Sequence, residues 1–486
     1  MLGRALCGAV AFVLVSWAPQ AAGGPIRQHP DNPRYFLFRG KPTVLVTSGE
    51  HYGALLNLDF DYVRYFDELA KHGFNLTRTF AGSYREMPLE SQVITGNPLA
   101  PPTGRFIAPW ARSETPGYFD GGNKFDLGRW DPSYFKRLHD LIAEAGKRGI
   151  VVELVFFCPM YSETHWKASP LHDSNNVNGV GKGLGHREAL TLKDAAMVAA
   201  QDAMVRKIVE ELKDADNLYY EICNEPYLGG VPAEWERHVA EVIASTEGGL
   251  KDKHLIAQNV PTGKAAEAVR ELHPAVSVVN LHYADRYDDP LRPLLASGKV
   301  LSFDETGDHI QLKRAKDYFQ QKYFHDDWPY TKFRMDGWDF LLAGGGVYDH
   351  LDFSFTTRHE DGSALFIAPG GGGEMGRRQL AILKKFLEGF DFIKMAPDRS
   401  IVRGGVPAGA KVQVLVEPGK QVALYLRGGT QADLRLDLPA GTYKAEWLDP
   451  KVGKVMKAET LRHDGGERTL ASPAYEEDIA LKIVRP

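Results

Sequence analysis

Eight short apolar strands, mostly separated by helices, predict that this 486-residue chain is an α/β protein: a (β/α)8 TIM barrel followed by a small antiparallel β-sandwich. Three observations carry the prediction. The strand runs are apolar on both faces, as parallel strands covered by helices must be. Strand and helix alternate through residues 24–395, and no lysine-bearing phosphate loop interrupts them. Over residues 396–486 the pattern changes to alternating strands punctuated by Gly, Pro and Asp.

Composition narrows the classes. Charged residues are 25%, hydrophobic residues 43%, and the formal net charge is -5. These values exclude a disordered tail, a fibrous chain and a small disulfide scaffold. They offer no basic face for nucleic acid, so no nucleic-acid partner is expected.

The N-terminus reads MLGRALCGAVAFVLVSWAPQAAGG. Arg4 precedes an apolar stretch, Leu6 to Trp17, and then small, turn-prone residues. This is the layout of a secretory signal peptide over residues 1–23, cut near Ala22 to Gly24. It implies a secreted or periplasmic protein with no transmembrane anchor after cleavage, the apolar run being short for a span. Cys158 and Cys223 then remain, and they read as two buried thiols rather than a disulfide framework.

The elements follow in order. YFLFRGKPTVLVTSGEHYG reads as a hairpin and then the first buried strand, Thr43 to Ser48. A helix from Phe60 to His72, stopped at Gly73, leads into the second strand, FNLTRTF. Asp131 starts a helix to Lys147, and RGIVVELVFF is the third strand, interrupted by Glu153. The helix Ala195 to Leu212 precedes NLYYEICNEP, the fourth strand. HLIAQNV, AVSVVNLHYAD and KVLSFDETG are the fifth to seventh. A helix near Phe333 to Ala343 leads to GGGVYDHLDFSF, the eighth. A doubly wound sheet would need a Gly-rich first turn, which this sequence lacks. The run APGGGGEMG reads as a loop. In the tail, KVQVLV, QVALYLRG, ADLRLDLPAGTYKAEWLDP and AYEEDIALKIV read as sandwich strands, with Trp447 and Tyr475 in packing roles.

A barrel keeps its substrate site at the C-terminal ends of its strands. There the sequence places Asn224 and Glu225 after strand four and Glu305 after strand seven. Two opposed carboxyl groups are what cleavage of a glycosidic bond requires: one protonated to assist the leaving group, one charged to attack C1 or activate water. Asp304 is a rival for the second role, but Gly307 favours presentation of Glu305. Arg78 ends strand two, where a cation lowers the pKa of a nucleophile and holds it. His282 and Tyr283 end strand six, able to touch the sugar or the carboxyls. Asn224 is placed to bond a sugar 2-hydroxyl. Glu50 and His51 at strand one, Trp110 and Trp166 in the long loops and Tyr348 at strand eight complete the candidate substrate-binding set. No HExxH or EF-hand spacing is present, so neither a metal nor another cofactor is expected.

Arg78, the Asn224–Glu225–Pro226 triplet, the His282–Tyr283 pair and Glu305 together resemble glycoside hydrolase clan A, the family 5 cellulase-like barrels, some of which carry a C-terminal sandwich. The resemblance covers about residues 30 to 395. It implies Glu225 as acid/base, Glu305 as nucleophile, a retaining mechanism through a glycosyl-enzyme, and a carbohydrate substrate. The chain departs from the pattern in two places. Phe156, Phe157 and Cys158 stand where such barrels have a histidine after strand three. Tyr348, His350 and Asp352 stand where they have a tryptophan after strand eight, and Trp338 falls in the helix before it. Two competing readings are a non-catalytic carbohydrate-binding barrel and a transglycosylase. An esterase would need a G-x-S-x-G elbow, which is absent.

Overall fold

The computed structural model of the chain describes residues 24–87, 96–283, 292–306, 330–364 and 372–486. The expected signal peptide, Gly307 and part of the glycine-rich run lie outside those residues. Eight parallel strands form one sheet: β1 (Leu45–Gly49), β2 (Leu76–Phe80), β3 (Val151–Phe157), β4 (Leu218–Cys223), β5 (Ile256–Val260), β6 (Val276–His282), β7 (Val300–Glu305) and β8 (Val347–Leu351). The hydrogen-bonded order is β1-β8-β7-β6-β5-β4-β3-β2. Each strand coincides with a run read from the sequence, with ends shifted by up to four residues. The sheet rolls into a barrel whose last seam, between β1 and β2, has no regular ladder. Asn75 bridges it: its side-chain Oδ1 accepts from Val46 N at 2.9 Å and its Nδ2 donates to Val44 O at 2.9 Å.

Helices cover the outside of the sheet, and aspartates start three of them. Asp61 caps Tyr62–Lys71, Asp131 caps Pro132–Lys147 and Asp194 caps Ala195–Leu212, each accepting backbone N–H groups of the first turn. The N-terminal hairpin, Asn32–Phe38 paired with Lys41–Thr43, sits under the barrel. Ile26, Phe36 and Phe38 pack there with Leu45, Leu76, Val151, Val278, Val300 and Val347, the first residues of the strands or their near neighbours. The bottom of the barrel is therefore an apolar plug, and the C-terminal end is left for polar groups.

The tail forms two antiparallel sheets. One is ordered Ala396–Pro397, β9 (Lys411–Glu417), β10 (Gln421–Arg427), β15 (Asp478–Val484), β12 (Gly441–Leu448) and β13 (Val455–His463). The other holds Val402–Gly404, β11 (Asp433–Leu438) and β14 (Gly466–Ala471). Val414, Leu424, Leu434, Leu436, Trp447 and Leu481 fill the space between them. Tyr475 packs on that core and its hydroxyl donates to Gly428 O at 2.8 Å. Both aromatics are thus packing residues, as the sequence suggested. The sandwich docks on the barrel helix Tyr330–Leu342. Trp338 stacks on Tyr425 at 5.2 Å, and Arg334 pairs with Asp478 at 2.9 Å and Glu477 at 2.7 Å. Cys158 and Cys223 are both free and buried. Among the described residues no helix is long and apolar enough to cross a membrane.

Candidate active site

The strand ends bring Arg78, Asn224, Glu225, His282, Tyr283 and Glu305 into one cluster at the mouth of the barrel. The β6–β7 pairing matters here. Its register shifts between Leu281 and His282, so that Leu281 faces Phe303 but His282 faces Glu305. The extra residue on β7 lets His282 reach both Asp304 and Glu305. Pro226, with no N–H to give, ends β4 and leaves Glu225 at the rim.

One oxygen of Glu225, one of Glu305 and a ring nitrogen of His282 lie within 4.8 Å of one another. Glu305 is held by donors on several sides. Tyr283 donates to its Oε1 in a short hydrogen bond, Tyr52 donates to Oε2 at 3.4 Å, and Arg78 Nη1 stands 3.5 Å from Oε2. Glu225 receives the Tyr161 hydroxyl on Oε2 at 2.9 Å and faces His282 Nδ1 with Oε1 at 3.2 Å. His282 Nδ1 is also 3.5 Å from Glu305, and Nε2 is 3.5 Å from Asp304. Tyr52, Glu225 and Tyr283 all have left-handed backbones, with φ of 61°, 39° and 50°. Such residues carry strain that the surrounding structure must hold, and three of them converge on one site.

Charge follows from burial and neighbours. Burial acts against a charge on His282, but Glu305 and Asp304 outweigh it and hold the imidazole well above its ordinary pKa. Burial raises Glu305, helped by the facing Glu225 carboxylate, and His282 and Arg78 offset only part of this. At Glu225 burial is outweighed by the hydrogen bonds and charge of His282 and by Tyr161, so its carboxyl lies below the usual value.

Beneath the pair lies a second buried set. Glu153, Glu221 and Asp304 bring one oxygen each within 4.8 Å of one another. Arg78 stands against Glu221 at 2.5 Å and Asp304 at 3.3 Å, supplying positive charge where a cation would sit. Glu153 accepts from Tyr219 at 2.8 Å and Asn280 at 2.7 Å. Burial, and then the charges of Asp304 and Glu221, lift Glu153 well above the carboxylate range. Asp304 is fully buried in this set, below the mouth, which leaves Glu305 as the presented carboxylate.

Four expected substrate contacts are not at the mouth. Tyr348 is fully buried on the helix side of β8. Its hydroxyl donates to Phe333 O at 2.7 Å and its ring lies against Gly337. Strand alternation turns Asp349 inward instead. Trp110 and Trp166 have no exposed surface, because the long loops, with Phe106, Tyr118 and Phe125, join the core of the barrel. Trp166 Nε1 donates to Leu184 O at 2.8 Å. Glu50 accepts from Gly53 N at 3.0 Å and Ala54 N at 2.9 Å, so it caps the turn after β1. His51 does stay at the rim, paired with Glu86 at 3.1 Å and packed on Tyr52 and Phe353. The Asn224 amide is also committed: Oδ1 accepts from Arg78 at 2.9 Å and Nδ2 donates to the Tyr161 hydroxyl at 2.9 Å. Tyr52 and Tyr161 complete the contacts, and the sequence offered both: Tyr52 in the EHYG segment at the end of strand one and Tyr161 in the long loop after strand three.

A barrel of eight parallel strands followed by a C-terminal sheet region has the fold of the clan A glycoside hydrolases, and the buried glutamate and histidine groups at its C-terminal end support an enzyme acting on glycosidic bonds. Residues 68–247 match the model of Cellulase (glycosyl hydrolase family 5), and the fold is family 5-like, with an added C-terminal sheet region. Among solved structures, a glycoside hydrolase family 5 protein from Bacteroides vulgatus ATCC 8482 is 16% identical, with a TM-score of 0.59, covering 95% of this chain and 94% of that one. A second structure from the same organism is 12% identical, with a TM-score of 0.62 over 97% and 84% of the two chains. A further glycoside hydrolase is 16% identical, with a TM-score of 0.57 over 95% and 97%. At these identities the likeness is one of fold. No curated protein sequence matches the chain.

Proposed function

We propose that this chain is a secreted or periplasmic retaining glycoside hydrolase that cleaves a polysaccharide or oligosaccharide by double displacement. The observation that carries the reading is the approach of Glu225 and Glu305, with one oxygen of each within 4.8 Å. Retaining pairs sit about 5 to 5.5 Å apart, whereas inverting pairs leave room for a water. Glu305 attacks the anomeric carbon and forms the glycosyl ester, while Glu225 gives its proton to the departing oxygen. Glu225 then removes a proton from the incoming water, which releases the sugar with its configuration kept.

The roles follow from the donors around each carboxyl. Arg78, Tyr283 and Tyr52 surround Glu305 and favour its charged form. The reactive form carries the proton on Glu225. His282 Nδ1, 3.2 Å from Glu225 and 3.5 Å from Glu305, is placed to relay a proton between them. Once Glu305 is an ester its charge is gone, and Glu225 ionises freely to serve as base. The test is a screen of oligosaccharides and 4-nitrophenyl glycosides, with products identified by mass and the anomer of the first product read by proton NMR. Retention is expected; inversion, or full activity in both Glu225→Gln and Glu305→Gln, overturns the reading.

A further inference from the structure

We propose that Tyr161 couples the leaving group to its proton: its hydroxyl positions Glu225, and its exposed ring is the platform under the departing sugar. The proposal rests on the two-glutamate reading above and names the leaving-group side of the same site.

The hydrogen bonds around Tyr161 run in one direction. Arg78 has donors only, so its Nη2 donates to Asn224 Oδ1 at 2.9 Å. That contact sets the Asn224 amide, whose Nδ2 donates to the Tyr161 oxygen at 2.9 Å. The single hydroxyl proton of Tyr161 is then given to Glu225 Oε2 at 2.9 Å. The other Glu225 oxygen faces His282, which is also the neighbour of Glu305. Tyr161 therefore holds Glu225 on the side away from Glu305. A sugar seated between the two carboxyls turns its departing oxygen toward Glu225, so that far side faces the leaving group.

The ring is suited to that place. Tyr161 is 37% exposed, whereas Tyr52, on the Glu305 side, is 3% exposed. Tyr84 and His165 meet the Tyr161 ring nearly at right angles, at 88° and 83°, which fixes its plane. An aromatic face held in place and open to solvent stacks on the apolar face of a pyranose. The tyrosine stands in the loop after β3, the region where the sequence departs from the cellulase-like pattern.

Other charged and titratable groups also face Glu225. His282 and Tyr283 come from the end of β6, Glu305 from β7 and Arg78 from β2. Cys158 follows β3, and Tyr227 lies in the short helix Pro226–Gly229. Tyr161→Phe leaves all of them in place and removes one donor that favours the Glu225 carboxylate.

The test compares an oligosaccharide with the glycosyl fluoride of the same sugar, since fluoride offers no ring to stack and departs with little proton assistance. Tyr161→Phe is expected to slow the oligosaccharide about tenfold, the order of one hydrogen bond to a charged group, and to leave the fluoride within about twofold. The alkaline limb of its kcat/KM profile moves to higher pH. Tyr161→Leu is expected to raise KM for the oligosaccharide about tenfold and to leave KM for the fluoride unchanged. Equal losses on both substrates, or an unmoved alkaline limb in Tyr161→Phe, overturn the proposal. Glu305→Gln serves as the separate control: if it keeps turning over both substrates, the two-glutamate reading itself falls.

Discussion

The two β structures of this chain bury opposite things. Between the sandwich sheets lie Val414, Leu424, Leu434, Leu436, Trp447 and Leu481, with no ionised side chain among them. Inside the barrel lie Arg78, Glu153, Glu221, Asp304 and Asp349, all buried. Buried charges are costly unless paired, and apolar replacements of equal volume are often as stable. The sandwich follows the stabilising solution. The barrel holds an arginine, several carboxyl groups and an imidazole directly beneath its mouth, where they tune Glu225 and Glu305. The difference separates a region built for stability from one built for chemistry.

That contrast can be broken or sharpened by substitution. The largest effect is expected at the mouth. Glu225→Gln and Glu305→Gln should each lower turnover roughly a thousandfold or more, with the melting temperature within a degree or two of the parent. A thermal melt alongside the rate assay checks both halves.

Next come the two interiors. Arg78→Leu leaves Glu221 and Asp304 without their cation, and should cost about 3–5 kcal/mol of stability as well as activity. Trp447→Ala opens a cavity in the sandwich and should cost about 3–5 kcal/mol, with the rate per folded molecule little changed. Urea titration with a parallel rate measurement distinguishes them. If Trp447→Ala abolished catalysis in the folded protein, the division of labour would be wrong.

A smaller effect tests a buried acid away from the mouth. Burial pushes the Glu236 carboxyl, on the helix Ala233–Thr246, up to about 8, although Gln258 donates to it at 3.0 Å. The folded state holds this proton more tightly than the unfolded chain. Its stabilising contribution is complete below the ordinary carboxylate value and fades as pH rises toward about 8. Glu236→Gln should therefore gain on the parent as pH rises from about 5 to about 8.5. Urea midpoints across that range give the answer. The smallest effect is expected on the sandwich surface. Arg403→Ala breaks the exposed pair with Asp437 and should leave the urea midpoint unchanged within error.

Much of this was legible in advance. All eight barrel strands were visible as apolar runs, because parallel strands buried on both faces leave a continuous signal. Arg78, Asn224, Glu225, His282, Tyr283 and Glu305 were visible because each stands at the end of such a run, where packing gives no reason for a polar group. The rings of Trp110, Trp166 and Tyr348 misled for the converse reason. Composition marks an aromatic as a sugar platform or a core residue equally well, and the rings of the long loops join the barrel core.

The linear order of residues by itself determined the strand–helix alternation, the polar groups at the strand ends and the change of pattern near residue 396, since these depend on local periodicity and turn chemistry. The three-dimensional fold alone decided which of those groups meet. The shifted register of β6 on β7 brought His282 opposite Glu305 and left Asp304 in the layer below. Closure of the barrel carried Arg78 to Glu221, and the loop after β3 folded back to set Tyr161 on Glu225. Those contacts join residues far apart along the chain, and only the packing of the whole sheet fixes their distances.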